Sequence, residues 1–292
     1  MFEFEKLRGN TYRICMPTNI GVYDTGNGEV LLIDTGLNDR SAQRILSALE
    51  KMNMRVRAVI LTHAHTDHAG GGKCIAEQTG CDVYASEVER IFVENPDLEP
   101  AVVYGAFPCR DFRVKFMNTP KYRVRDLREL DAPEGMEFFP LPGHFAGMVG
   151  VKTPDDVYFV ADSVNAQKTL ETAKICYLFD VEAQFETLEW IKCLDGKLCV
   201  PSHAEPTLEI GKLADINREH LLMLNDYILK SLTTAMTVEE LTVKMSRDFD
   251  LVETYAQYVL TLSEVRTHLT YLRHHSLVNF RFEDKRMLWE KA

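Results

Sequence analysis

At 292 residues, with 46% hydrophobic and 26% charged residues, the chain has the make-up of a globular protein with one large domain, or a large domain and a small appendage. A formal net charge of −11 argues against nucleic acid or an anionic membrane as the partner of the whole molecule. The seven cysteines are irregularly spaced with no Cys-x-x-Cys pair, which argues against a disulfide framework or a zinc knuckle.

Taken in chain order, the first third reads as strands followed by a helix. Thr11 to Cys15 and Ile20 to Tyr23 are β-prone runs, and Gly26-Asn27-Gly28 turns the chain into the buried strand Val30-Leu31-Leu32-Ile33. Ala42, Ile45, Leu46 and Leu49 mark one face of an amphipathic helix. Ala58-Val59-Ile60-Leu61 is the next buried strand, and a further helix and the strand Asp82-Val83-Tyr84-Ala85 follow. Residues 88 to 135 are charged and weakly periodic. Beyond them come short apolar strands at 138–141, 148–151 and 157–160, a helix carrying Phe185, Leu188, Ile191 and Leu194, and the strand Leu198-Cys199-Val200. Strands alternating with helices in two similar halves predict sheets covered by helices.

The character changes at about residue 235. Thr237-Val238-Glu239-Glu240 fits a capping box at a helix start, and Val265, Leu269 and Leu272 form a second apolar stripe. Val278, Phe280 and Phe282 then alternate, with a turn at 283–285 and a return strand at 287–289. Helices followed by a hairpin predict a small winged-helix-like module over 235–292, beside a main domain over 1–234. Acidic residues outnumber basic ones in that module, nine to eight, so packing or dimerisation is the preferred role over gripping phosphate. The first residues do not read as a signal peptide, and no run reaches the roughly 20 apolar residues of a membrane helix, so the expected location is the cytoplasm.

The chemistry concentrates in Thr62-His63-Ala64-His65-Thr66-Asp67-His68-Ala69-Gly70-Gly71, directly after a buried strand. In extended chain, residues two apart point the same way, so His63 and His65 can grip one metal while Asp67 and His68, rounding the turn, face a second. Imidazole and carboxylate suit zinc, and also iron or manganese. The bland alternative is a polar loop whose histidines cap and hydrogen-bond. Four such groups in six positions favour the metal.

This segment resembles the His-x-His-x-Asp-His hallmark of the metallo-β-lactamase-fold hydrolases, and the resemblance continues along most of the chain. Ile33-Asp34-Thr35-Gly36 is similar to the family's early Asp-Thr-Gly element, Leu141-Pro142-Gly143-His144 to its Pro-Gly-His element, Val160-Ala161-Asp162 to its strand-end aspartate, and Val200-Pro201-Ser202-His203 to its last ligand element. Singly, each distal residue has a structural explanation: a buried histidine, or an aspartate capping a turn. Their joint order, each after an apolar strand, gives them weight. The resemblance implies an α/β, four-layer αββα sandwich and two divalent metal ions, zinc favoured over iron or manganese. It implies His63, His65 and His144 on one metal, Asp67, His68 and His203 on the other, and Asp162 between them. Asp67 would serve catalysis as a ligand, and Asp34 by holding His68 in one tautomer. The cations would activate a water for hydrolysis.

Within that family the chain is most similar to the glyoxalase II-like and lactamase-beta-2-like groups. The bridging Asp162 sets it apart from the antibiotic-degrading enzymes. His65, where flavodiiron proteins carry glutamate, sets it apart from those. Only 41 positions separate Asp162 from His203, too few for the cap domain of the large nucleases. The glutathione-binding Gly-Arg-x-Phe-Glu-Gly segment is absent near Lys174 to Phe179, Ser202 and Ala204 depart from Pro-Gly-His-Gly, and Phe145-Ala146-Gly147-Met148 replaces Thr-Pro-Gly-Ser. The expected substrate is a small-molecule ester, thioester or lactone, possessing an anionic part if the segment 107–130 covers the site. That segment holds seven basic residues (Arg110, Arg113, Lys115, Lys121, Arg123, Arg125, Arg128) against three acidic, interleaved with Phe107, Phe112, Phe116 and Tyr122. It reads either as a substrate-gripping flap or as a solvated or dimer-contacting surface paired with acidic neighbours. Single-strand RNA cleavage and mononuclear iron sulfur-dioxygenase chemistry are the alternatives.

Overall fold

The structure is a computed structural model that describes residues 4–113 and 119–292. Strands β1 (Phe4–Arg8), β2 (Thr11–Ile14), β3 (Ile20–Gly26) and β4 (Glu29–Ile33) form an antiparallel meander. Helix α1 (Asp39–Lys51) then crosses to β5 (Arg55–Ile60), which lies parallel to β4. The one-turn α2 (Thr66–Ala69), α3 (Gly72–Thr79), β6 (Asp82–Ala85), α4 (Glu87–Glu94), α5 (Leu98–Tyr104) and the short edge strand β7 (Arg125–Asp126) complete a seven-stranded sheet in chain order.

The second sheet has four strands, ordered β11-β10-β9-β8. It is built from β8 (Glu137–Pro140), β9 (Val149–Lys152) and β10 (Val157–Ala161), then helices α6 (Gln167–Ala173) and α7 (Val181–Lys192), and β11 (Leu198–Pro201). Strand periodicity sorts the side chains into layers. Leu31, Ile33, Ala58 and Ile60 of the first sheet meet Val151, Val157, Phe159 and Val200 of the second. The alternate residues Val30, Leu32, Val56 and Val59 pack against Ala42, Ile45 and Leu49 of α1 and Ile75 of α3. On the other outer face Val160 and Cys199 pack against Val181, Leu188 and Ile191 of α7. The result is the expected αββα sandwich.

Both sheets aim strand ends at one edge. β4 and β5 are parallel, and so are β10 and β11, while β8 runs with β10 because β9 is antiparallel to both. Residues just past β4, β5, β8, β10 and β11 therefore emerge together, and every histidine and aspartate singled out above follows one of those strands.

The longest helix, α8 (Ile210–Ser231), is not marked in the sequence by a clean apolar stripe. Its first half, with Ile210, Ala214 and Leu221, covers the second sheet, and its second half, with Leu224 and Ile228, enters a C-terminal cluster. That cluster is completed by α9 (Val238–Asp248), α10 (Tyr255–His274) and a hairpin of β12 (Val278–Glu283) and β13 (Arg286–Lys291). The capping box at Thr237 and Glu240 is formed on both sides. Asp284 and Lys285 both take positive φ, 47° and 62°, the twist that a two-residue hairpin turn requires.

Part of the basic-aromatic segment, Lys115 and Phe116, lies outside the described residues. Of the remainder, Arg113 pairs with Asp97, Arg125 with Asp82 and Glu129, and Arg128 with Glu87 and Asp126. Phe112 stacks on Tyr255 of α10, with ring centres 4.1 Å apart, and Tyr122 donates to the Ala69 carbonyl at 2.7 Å. These contacts fit a surface neutralised by its own acidic neighbours.

Candidate metal centre

The loop after β5 is held before any ligand is considered. Asp34, just past β4, takes φ +67° and is almost fully buried. Its carboxylate accepts from the Thr62 backbone N–H and from the Thr62 hydroxyl, both at 2.8 Å, and lies 2.8 Å from His68 Nδ1. On the other side, Glu89 of α4 is completely buried. It accepts from the N–H groups of Ala64 (2.8 Å) and Gly147 (2.7 Å), so one carboxylate ties the loop carrying His63 and His65 to the loop carrying His144. Burial pushes Glu89 up to about 7, against the opposing pull of those two N–H groups.

All seven histidine and aspartate side chains expected at a metal site converge at the shared edge. His65 Nδ1 is 3.0 Å from both His63 Nε2 and His144 Nε2. The second group is formed by Asp67, His68 and His203: His203 Nε2 lies 3.1 Å from Asp67 Oδ2, and His68 Nε2 lies 3.5 Å from the same oxygen. Asp162 reaches both groups. Its Oδ1 is 3.3 Å from His68 Nε2, and its Oδ2 is 3.3 Å from His203 Nε2 and 3.5 Å from His144 Nε2. Ala161, immediately before it, has φ +47°, a conformation that costs free energy and is held here by the surrounding sheet.

The donor set fits divalent cations. Three imidazole nitrogens facing one point at such separations have lone pairs converging without enough protons to join them all. His68 Nε2 and Asp162 Oδ1 are buried 3.3 Å apart, and neither makes a hydrogen bond of good geometry, an arrangement that a cation between them would relieve. Ring orientations agree: His68 turns Nδ1 to Asp34, His144 turns Nδ1 to the Tyr177 carbonyl (3.2 Å), and His203 turns Nδ1 to the Pro17 carbonyl (2.9 Å). Each then presents Nε2 to the centre, as ligating histidines held by outer partners do.

Electrostatics divides the two groups. Burial, reinforced by neighbouring imidazoles, holds His63 far below its ordinary value, and burial with His144 brings His65 down to about 3. Those rings are neutral. Burial also disfavours charge on His68, but Asp162, Asp67 and Asp34 outweigh it and hold this imidazole well up. At His203, Asp162 and Asp67 likewise overcome burial and hold the ring up at about 10, against 6.5 when unfolded.

That value carries a pH dependence for the metal-free protein. Because the folded-state value exceeds the unfolded one, the His203 contribution to stability is fully present below pH 6.5 and lost as pH rises towards about 10. The thermal midpoint of chelator-treated protein is expected to fall across this window. A midpoint that rises from pH 6.5 to 10 would count against the assignment of the charged pair.

Beside His203 opens a groove of about 610 Å³, lined among others by Met16, Pro17, Lys168, Thr169 and Thr172. Among the described residues, three buried glutamates lie outside the residues singled out from the sequence: Glu89, Glu264 on α10, and Glu99 on α5, whose Oε1 is 3.6 Å from His65 Nε2. A usable signal exists for the first and the last. Glu89 precedes Val93, and Glu99 precedes Val103, by one helical repeat, so a carboxylate stands on the apolar face.

The sequence model of the Metallo-beta-lactamase superfamily matches residues 13–203, about two thirds of the chain. A hydroxyacylglutathione hydrolase of Hyphomonas neptunium is 28% identical over 217 residues, which is 73% of this chain and 73% of that protein. Among solved structures, a beta-lactamase domain protein from Burkholderia ambifaria superposes with a TM-score of 0.77 at 16% identity, covering 99% of this chain and 94% of that one. A metallo-beta-lactamase family protein from Thermus thermophilus gives 0.72 at 19% identity, covering 97% and 98%. Both likenesses concern the fold.

Proposed function

Since the chain belongs to the metallo-beta-lactamase superfamily, we propose that it is a dinuclear metallo-hydrolase acting on a small-molecule ester, thioester or lactone. The observation that carries this reading is Asp162, whose carboxylate lies 3.3 Å from His68 and His203 of one set and 3.5 Å from His144 of the other, as a carboxylate shared by two cations would. In this proposal His63, His65 and His144 hold one cation, and Asp67, His68 and His203 the other. Zinc is the favoured metal for this nitrogen-rich set, with iron and manganese as alternatives.

The two cations would supply Lewis acidity, making hydroxide available near neutral pH and polarising the scissile carbonyl. The chain's own work is positioning. Asp34 fixes the tautomer of His68, the Tyr177 and Pro17 carbonyls do the same for His144 and His203, and Glu89 keeps the two ligand loops in register. The groove beside His203 is lined by apolar Met16, Pro17, Ala166 and Ala173 together with the charged Lys168 and Glu205, which suits an acyl group with a polar tail. The similarity to a hydroxyacylglutathione hydrolase over 73% of its length supports the thioester option.

Residues 235–292 form, in this reading, a winged-helix-like module appended to the catalytic domain 1–234, with α8 reaching into its core. Among the described residues no helix is long and apolar enough to cross a membrane, in keeping with a substrate met in water. The reading is tested with a panel of acyl thioesters, aryl esters and lactones. Turnover of at least one class is expected, lost on chelation and restored by zinc or manganese. Metal-replete protein that turns over none of them, but cuts single-stranded RNA, would replace this substrate class with the nuclease alternative. Protein holding a single iron would favour the dioxygenase alternative.

A further inference from the structure

The C-terminal helices contribute a buried acidic group to the frame of the metal centre. Glu264 of α10 is almost fully buried, and one of its oxygens accepts a short hydrogen bond from the Leu178 backbone N–H. The carbonyl of the same peptide unit, that of Tyr177, accepts from His144 Nδ1 at 3.2 Å. In a trans peptide the N–H and C=O point in opposite directions. The arrangement is thus a straight relay from the Glu264 carboxylate through one peptide plane to the imidazole. A hydrogen bond to the N–H end polarises the amide and makes its oxygen a stronger acceptor.

The second oxygen of Glu264 makes no hydrogen bond and lies 3.5 Å from His268 Nε2, one helical turn along α10, and His268 Nδ1 is 2.8 Å from Asn225 Oδ1 of α8. Thr267, on the same helix, adds two contacts to the segment, receiving the Val181 N–H at 3.2 Å and donating to the Phe179 carbonyl at 3.3 Å. A buried acid and imidazole inside a helix are costly against an apolar pair of similar volume. Here they reach a backbone unit that a leucine could not hold.

We propose that Glu264 is a positioning residue of the metal centre. It fixes the Tyr177–Leu178 peptide so that His144 keeps its proton on Nδ1 and its Nε2 free to ligate. The proposal rests on the reading of His144 as a metal ligand. It gives the C-terminal module a defined part in the site: replacing one side chain of that module changes the tautomer of a histidine in the other domain.

The test compares wild type, Glu264→Leu and Glu264→Gln in the full-length protein. The readouts are zinc affinity by competition with a chromophoric chelator and the histidine side-chain nitrogen shifts by NMR, in metal-free and zinc-loaded states. Glu264→Leu is expected to weaken zinc binding 10- to 100-fold, roughly the usual effect of losing a ligand's outer partner. It should also lose the Nδ1-protonated signature of His144 in the metal-free state. Glu264→Gln, which still offers an oxygen to Leu178, is expected to keep that signature and recover most of the affinity. If Glu264→Leu binds zinc as tightly as wild type with the His144 signature intact, the proposal is wrong. Should Glu264→Leu not fold, Glu264→Gln decides. A downfield His144 Nδ1 proton that moves upfield as the acceptor weakens supports the relay, and one that does not move overturns it. Wild-type protein that binds no zinc would instead refute the underlying metal reading, while the metal-free NMR comparison would still report on the relay.

Discussion

Replacing Asp162 by alanine is expected to cut hydrolysis about a thousandfold and to lower bound metal from two ions to one or none. The carboxylate faces both histidine sets, with Oδ1 at 3.3 Å from His68 Nε2 and Oδ2 at 3.3 Å from His203 Nε2 and 3.5 Å from His144 Nε2. Without it, His68 and His203 lose the negative charge that outweighs their burial, and the two cations would repel one another across an unshielded gap. Cation stabilisation of the developing charge is worth several kcal/mol, and about 4 kcal/mol corresponds to roughly a thousandfold in rate. Steady-state turnover of the substrate found in the panel, with elemental analysis of the same preparation, checks both halves. A variant that keeps two ions and near-normal turnover would remove Asp162 from its bridging place.

The second large effect concerns a residue that touches no substrate. Asp34→Ala is expected to weaken metal binding roughly 10- to 100-fold, as loss of an outer partner to a ligating histidine does. It should also destabilise the fold by about 1–3 kcal/mol, because the buried Thr62 N–H loses its acceptor. Alanine at φ +67° adds strain that aspartate tolerates better. Asp34→Asn separates the two consequences. Its oxygen can still accept from the Thr62 N–H, so stability should largely return. Its amide nitrogen then faces His68 Nδ1 as a donor, and the ring must carry its proton on Nε2, the nitrogen that should ligate. Chemical denaturation is therefore expected to rank Asn above Ala, while chelator competition finds both variants weak. Wild-type affinity in Asp34→Asn would show that Asp34 supports the loop without setting the tautomer.

The sandwich is legible in the sequence because both periodicities are clean. The runs at 30–33 and 58–61 read as buried strands, and in the structure their alternate residues divide between the inter-sheet layer and the helix layer. The ligand set is legible for a related reason: each candidate follows an apolar strand, and the two sheets end at one edge. Three features are not legible. Helix α8 serves two cores in succession, so its apolar face turns between Ile210 and Ile228 and no single stripe persists. The segment 88–135 hides α4 and α5 because Glu89 and Glu99 occupy positions on their buried faces, where an apolar residue would have advertised a helix. On α10 the stripe Val265, Leu269 and Leu272 is legible, but the burial of Glu264 and His268 beside it is not. In each helix the disruptive carboxylate faces the metal centre or the peptides that frame it. Charge on an apolar face is thus the sequence signal that these three glutamates leave, and without the fold it is hard to tell from weak periodicity.

The central claim is that seven side chains from the ends of four strands, β5, β8, β10 and β11, hold two cations with Asp162 between them. An anomalous-scattering map of zinc-loaded crystals tests it directly. The account predicts two peaks. One should lie about 2.1 Å from His63 Nε2, His65 Nδ1 and His144 Nε2, and the other at a similar distance from His68 Nε2, His203 Nε2 and an Asp67 oxygen. Asp162 should contribute an oxygen to the space between them. A map with no peak at this edge, and the imidazoles hydrogen-bonded to one another in fully folded protein, would contradict it.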